Sequence, residues 1–328
     1  MSNLNKDIQV DVIGFGALNL DKLFHVNDIA HEDEESFIGD SEENPGGSAS
    51  NTIIGLSRLG LSVSYIGKIA DDIEGEFLTK NLSSEGVLTN NLIISKKGHS
   101  GKVLGFINKN GDRALYVDSG VNDEITIDEI NIDLIKKTKI IHYSSFVGNS
   151  FETQKKLLDL IPKSILLSFD PGHIYAKKDI RLLKKILSRT NILLINEKEL
   201  KLLFHDYYLK KKELNRENNS LSFREIAISI LDDGIENIIV KRGKKGVYAI
   251  NNRNEEVKIP ANNCNVVDTT AAGDAFNTGF LYSYLRNYSL EKSCIIGNWT
   301  ATKCIEDVGI RGLPKKDELK NFEKSIDK

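Results

Sequence analysis

The chain is short of the residues that cross-link or bind metal. It holds three cysteines in 328 residues, Cys264, Cys294 and Cys304. An odd number with no metal-like pairing argues against a disulfide framework, and each reads as a small buried apolar residue. It also lacks a charge excess of either sign. With 44 basic and 47 acidic residues, a net charge of −3 and a pI near 6.1, it offers no broad basic surface to nucleic acid. No apolar run reaches bilayer length, and the polar start MSNLNKD does not read as a signal peptide. A cytoplasmic protein with no membrane partner is expected. What is present is a globular composition, 40% hydrophobic, with enough material for a large core.

Strand and helix patterns alternate along most of the sequence. Ile8–Ile13, Ile140–Tyr143, Ile165–Phe169, Asn191–Ile195 and Asn237–Val240 read as buried strands separated by charged amphipathic stretches. Such alternation predicts an α/β fold, a mostly parallel sheet covered on both faces, with ligands at the carboxyl ends of its strands. Between Lys102 and Gly120 the pattern changes. Two strand-prone runs flank Asn110-Gly111, a strong hairpin signal, and this hairpin should stand outside the main sheet. Acidic residues crowd Asp28–Glu43, which reads as a solvated excursion. Together with part of residues 20–44, the hairpin predicts a small β lid that would exclude water from a transferable group. Arg113 and Asp118 lie on it, as substrate contacts or as solvated residues. Lys210–Glu225 is highly charged and reads as a surface connector.

Two glycine-rich turns carry the chemistry. In NPGGSASNTIIGLSRLG, residues 44–60, Pro45, Gly46 and Gly47 break the chain and Ser48 is placed to cap a helix bearing Ile53, Leu56 and Leu59. Gly46 and Gly47 would let a sugar approach while Asn51 exchanges a hydrogen bond with it; a plain tight loop is the alternative. In DTTAAGDAFNTGFLYSYL, residues 268–285, Ala271, Ala272 and Gly273 lead into a helix predicted to start near Asp274. Free N–H groups and the macrodipole make that start an anion site. A carboxylate there is either an N-cap or a general base beside a phosphate.

Smaller patterns surround these turns. Asn19 and Asp21, just past the first strand, suit a ligand rich in hydroxyls, or are ordinary turn residues. The GFG at 14–16 lacks the third glycine of a dinucleotide fingerprint. Asp170 in SFDPG, and Asn196 with Glu199 in INEKE, follow strands and are of the type that holds Mg²⁺ directly or through its waters. Lys241, Arg242, Lys244 and Lys245, around Gly243 and Gly246, would attract nucleotide phosphates or form a solvated turn. Asn298 is placed to border a base.

GGSASN at 46–51 followed by DTTAAGDAFNTG at 268–279 resembles the paired signatures of the ribokinase-like (PfkB) carbohydrate kinase family. The NLD at 19–21, NEKE at 196–199, GKKG at 243–246 and the Asn298 segment follow in the family's order, so the resemblance covers nearly the whole chain. At Ser48 and Ala49 ribokinases carry Lys-Gly, a departure that leaves ribose open as the substrate.

The resemblance implies one ribokinase-like domain over 1–328. Its fold would be a three-layer α/β/α with a mostly parallel central sheet and a lid from about 17–44 and 98–120, lids of this kind pairing across a homodimer. It implies an ATP-dependent kinase transferring the γ-phosphate to a hydroxyl of a sugar; the alternative is a nucleoside kinase acting on adenosine, inosine or cytidine. Asp274 would take the hydroxyl proton, and the N–H groups of Ala271, Ala272, Gly273 and Asp274 would stabilise the developing charge. Asn19, Asp21, Gly46, Gly47 and Asn51 would meet the substrate. Lys241, Gly243, Lys244, Gly246 and Asn298 would frame ATP, with Asn196 and Glu199 organising Mg²⁺ through water. Asp268 and the Thr270 carbonyl resemble a K⁺ site. A non-catalytic sensor is a further alternative, but a pure binder gains nothing from a base aimed at the transferable phosphate. A dehydrogenase would need the missing third glycine and a ribose-binding acid.

Overall fold

Short runs of valine, isoleucine and leucine, buried on both sides, build the central layer. The structure, a computed structural model, describes residues 9–211 and 220–327. In chain order its strands are β1 (Val10–Phe15), β2 (Asn19–Val26), β3 (Ile38–Gly46), β4 (Val63–Ala70), β5 (Leu92–Ser95), β6 (Gly101–Ile107) and β7 (Arg113–Asp118). They continue with β8 (Thr138–Tyr143), β9 (Leu166–Phe169), β10 (Ile192–Asn196), β11 (Asn237–Lys241), β12 (Val247–Asn251) and β13 (Glu256–Ile259). Nine of these form one sheet in the order β13-β12-β11-β10-β9-β8-β1-β4-β5. From β11 to β5 the strands run parallel, and β12 and β13 add antiparallel at one edge.

Side chains alternate between two cores, as the period of a strand requires. Leu193 and Ile195 of β10 point into a core with Phe15, Tyr143 and residues of the helices Ser150–Leu160, Glu197–Lys211 and Phe223–Asp232. Ile192 and Leu194 point the other way, into a core with Val12, Ile239 and residues of the helices Ser48–Arg58, Ala272–Leu285 and Leu290–Ile305. The result is the three-layer α/β/α arrangement with a mostly parallel sheet that the alternation predicts.

A second, four-stranded sheet has the order β3-β2-β6-β7. Its β6–β7 pair is an antiparallel hairpin in which Ile107 faces Arg113 across a turn where Gly111 takes φ 81. The acidic stretch is only partly a loop, because Ile38–Gly46 is the edge strand β3 and pairs along β2. Exposed Asp40 and Glu43, with Pro45, discourage further pairing at that edge. Lys22 and Lys102 both reach Glu74, at 3.7 and 2.7 Å, and tie this sheet to the helix Ile73–Ser84.

The described ends of the charged connector at 210–225 are helical. One helix runs to Lys211 and the next begins at Phe223 behind a capping box of Ser222 and Glu225, with the charges on their solvent sides. Residues 212–219, and Ile8 of the first expected strand, lie outside the described residues. Cys294 and Cys304 are buried, whereas Cys264 is only half-buried and lines a cavity, so the apolar-core reading fails for that one. Among the described residues no helix is long and apolar enough to cross a membrane.

Candidate active site

The carboxyl ends of the parallel strands and the starts of two helices converge on Asp274. The helix Ala272–Leu285 begins two residues earlier than the sequence suggests, so Asp274 sits in its first turn and is not the N-cap. The capping position is Ala271, in the left-handed region at φ 58, with no side chain capping the helix. The first-turn N–H groups of Gly273 and Asp274 therefore keep the unpaired state that helix geometry gives them. Ser48 does not cap its own helix either; Gly47 precedes it and no cap bond forms. Instead Ser48 Oγ donates to Asp274 Oδ1 at 2.6 Å and Asn51 Nδ2 donates to Oδ2 at 2.9 Å. Two helices are thus joined through one carboxylate by bonds that span 226 and 223 residues of sequence.

Asp21 lies opposite. Gly46 is a glycine for its sake, since a Cβ there would stand 2.3 Å from Asp21 Oδ2. Gly47 holds φ 108, and a Cβ would strike the Ala17 carbonyl at 2.3 Å. Burial raises Asp274 to about 6, opposed by its bonds from Ser48 and Asn51. Burial, and then the charge of Asp274, raises Asp21 to about 7. Asp21 Oδ1 and Asn51 Oδ1 are buried acceptors with no donor among the described residues. Orphaned acceptors beside the Asp274 carboxylate call for hydroxyl donors from a ligand. Asn19 is differently employed: its Oδ1 accepts from Asn122 Nδ2 at 2.8 Å, and Asn122 also clamps the Leu18 backbone.

On the other side of Asp274 opens a cavity of about 650 Å³ lined by Asn196, Glu199, Lys244, Gly273, Asn298 and the 261–264 loop, among others. That volume suits a nucleotide. Asn196 and Glu199 cap each other, Glu199 N–H donating to Asn196 Oδ1 at 2.9 Å and Asn196 N–H to Glu199 Oε2 at 3.2 Å. Burial and then Asp170 raise the Glu199 pKa. Of the four basic residues in the turn, Lys241 is buried against Asp170, and Arg242 is tied to Glu197 at 2.9 Å and lies over Phe223. Lys244 and Lys245 stay exposed, and Lys244 lines the cavity. Gly246 answers to packing, because a Cβ would meet the Ile259 carbonyl at 2.0 Å, whereas Gly243 faces open space. Asn298 Nδ2 donates to the Pro260 carbonyl at 2.9 Å and so holds the loop that walls the cavity.

Asp268 accepts from the Thr270 N–H and hydroxyl at 2.8 and 2.7 Å and from the Gly309 N–H at 2.9 Å. Arg113 crosses from β7 and places Nη1 3.4 Å from Thr270 Oγ1, at the mouth of the helix start. Asp118 does not reach the site; it accepts from Gly120 N–H and lies 3.6 Å from His99. No cluster of three or more His, Cys, Asp or Glu able to hold a metal occurs among the described residues. The motifs did not reveal Ser48 as a partner of Asp274, nor Asn122 and Asn277. A polar residue one turn after Asp274 in an apolar helix was the available signal for Asn277.

A small-molecule phosphotransferase is the class this architecture defines, and the comparisons agree. The pfkB family carbohydrate kinase profile matches residues 11–316. An uncharacterised sugar kinase of Archaeoglobus fulgidus is 39% identical over 80% of this chain and 99% of its own length. A nucleoside kinase of Methanocaldococcus jannaschii is 26% identical, covering 93% of each chain. The ribokinase of Arabidopsis thaliana, solved with ribose and ATP, superposes with a TM-score of 0.82 over 97% of this chain and 99% of its own, at 17% identity. The chain belongs to the pfkB family of carbohydrate kinases, phosphotransferases with an alcohol group as acceptor.

Proposed function

We propose that the protein transfers the γ-phosphate of ATP to a hydroxyl of a sugar, with Asp274 as general base. The observation that carries this is the half-buried Asp274 carboxylate, oriented by Ser48 and Asn51 in the first turn of a helix that no side chain caps. Asp274 accepts the proton of the hydroxyl as its oxygen attacks phosphorus. The N–H groups from Ala271 to Asp274 receive charge on the transferring oxygens. Asp21, Asn51 and the bare backbone of Gly46 and Gly47 orient the acceptor, and Asn19 fixes the strand that carries Asp21. Gly243, Lys244, Gly246 and Asn298 shape the nucleotide side, and Lys241 stands between it and Asp274.

Magnesium, when bound with ATP, neutralises phosphate charge. Glu199 fits that role through water, since its half-buried carboxylate lies on the cavity wall near Asp170 and forms no ion pair among the described residues. A K⁺ site at Asp268 and the Thr270 carbonyl fits only in part, because three donors already satisfy Asp268, and no step is routed through it. Rates in KCl and NaCl at equal ionic strength decide that point. We take residues 1–328 as one catalytic unit, with β2, β3, β6 and β7 as its lid.

Asp274→Asn is expected to lower turnover by at least about 10³-fold while nucleotide binding persists. Phosphorylation at an unchanged rate would sink the assignment. An ADP-release screen of sugars against adenosine, inosine and cytidine separates the sugar reading from the nucleoside alternative, which the nucleoside kinase relative supports.

A further inference from the structure

Three neighbouring strands of the large sheet end in one row. β9 leads into Asp170, β10 ends at Asn196 and β11 ends at Lys241. Lys241 stands in register with Asn196, so its side chain must pass over the end of β10 to reach Asp170 on the strand beyond. It does so, with Nζ 2.7 Å from Asp170 Oδ2 and 3.1 Å from Asn277 Oδ1. Asn277 Nδ2 closes the triangle by donating to the same Asp170 oxygen at 2.7 Å. All three groups are buried or nearly so; the Lys241 and Asp170 side chains are 13% and 7% exposed.

Stability alone is a weak reason for such a pair. Replacing a buried ion pair with neutral groups is often neutral or stabilising. The ammonium has three N–H donors, and Asp170 and Asn277 engage two of them. Its position is also defined on the side of the anion site. A Cβ on Gly273 would lie 3.3 Å from Lys241 Nζ, so the missing side chain at Gly273 leaves the ammonium within reach of whatever rests on that helix start.

We propose that the third Lys241 donor contacts the transferring γ-phosphoryl group through the gap at Gly273, and that Asp170 and Asn277 are positioning residues that aim it. This rests on the kinase reading above. In the transfer, the bond from the γ-phosphorus to the bridging oxygen of ADP breaks and the bond to the acceptor oxygen forms. The acceptor's proton goes to Asp274, and Lys241 stays protonated throughout. Lys241 therefore contributes fixed charge at the reacting phosphorus rather than belonging to the general nucleotide frame, where exposed Lys244 lies.

The test compares a γ-phosphate-bearing nucleotide with one that lacks it. Calorimetric affinities for AMP-PNP and ADP, each with Mg²⁺, are measured for the unmutated protein, Lys241→Met and the double variant Lys241→Met/Asp170→Asn. The double variant removes both charges and so avoids the unpaired buried carboxylate that destabilises the single one. Both variants are expected to bind AMP-PNP about 10–100-fold more weakly with ADP affinity held within about twofold, the loss of one charge-assisted hydrogen bond. The double variant is expected to recover the melting temperature but not turnover. Equal weakening for the two nucleotides, no weakening, or turnover restored to within about tenfold in the double variant would each overturn the proposal. Absence of turnover in the unmutated protein on every sugar and nucleoside would instead sink the kinase reading.

Discussion

At the scale of single residues, the site stores carboxylates away from water. Asp274 at about 6 and Asp21 at about 7 both hold protons more tightly than an ordinary carboxylate at 3.8. A folded-state pKa raised above the unfolded one contributes stability that is complete below the unfolded value and is lost as pH rises through the folded value. The ligand-free protein should thus lose stability between about pH 4 and 7 on account of these two groups. Catalysis has the opposite sign, since a base must be ionised. The rate is expected to fall below about pH 6, as Asp274 takes up a proton. Asp274→Asn mimics the neutral form, so at pH 8 it should melt roughly 2–4 °C above the unmutated protein, a gap that closes toward pH 4. Melting curves across this range check it, and a variant less stable at pH 8 would contradict the burial argument.

At the scale of elements, the turn between β11 and β12 separates two kinds of glycine. Gly243 and Gly246 both have positive φ, 54 and 81. Only Gly246 also faces backbone, the Ile259 carbonyl and Pro260, from which the cavity-walling loop departs. Gly243→Ala is expected to cost about 1–2 kcal/mol, the strain of a left-handed residue. Gly246→Ala adds a collision that neither strand can relieve, so it should be the more destabilising by about 1–3 kcal/mol and should raise the KM for ATP. Denaturant titrations and ATP saturation curves of the two variants decide it; equal effects would refute the distinction. The hairpin β6–β7 was legible from Asn110-Gly111, whereas β3 was hidden, since an exposed acidic edge strand has no apolar alternation to announce it.

At the scale of the molecule, the small sheet carries an apolar outer face. Phe24 stacks on Phe106 at 5.4 Å and Phe106 meets Tyr116 at 6.0 Å. Tyr116, Ile38 and Phe37 are 61%, 54% and 81% exposed. We propose that this face pairs with its copy in a homodimer. Sedimentation velocity should find a dimer that Tyr116→Lys dissociates; an unmutated monomer at micromolar concentration would remove the idea.

Local pattern by itself determined the alternating strands, the parallel sheet, the hairpin and the two glycine turns, because periodicity and turn chemistry act over a few residues. It also pointed to Asp274 as a carboxylate in an anion site. It left open whether that carboxylate caps its helix. Only the tertiary structure excluded the cap, by starting the helix at Ala272 and bringing Ser48 and Asn51 onto Asp274 from more than 220 positions away. The same holds for Lys241, whose basic turn suggested a solvated or phosphate-facing residue. Its ammonium instead meets Asp170, 71 positions earlier, over the end of an intervening strand. Hydrogen bonds and ion pairs between distant segments depend on which strands become neighbours, and that order is fixed by the packing of the whole sheet between its two cores.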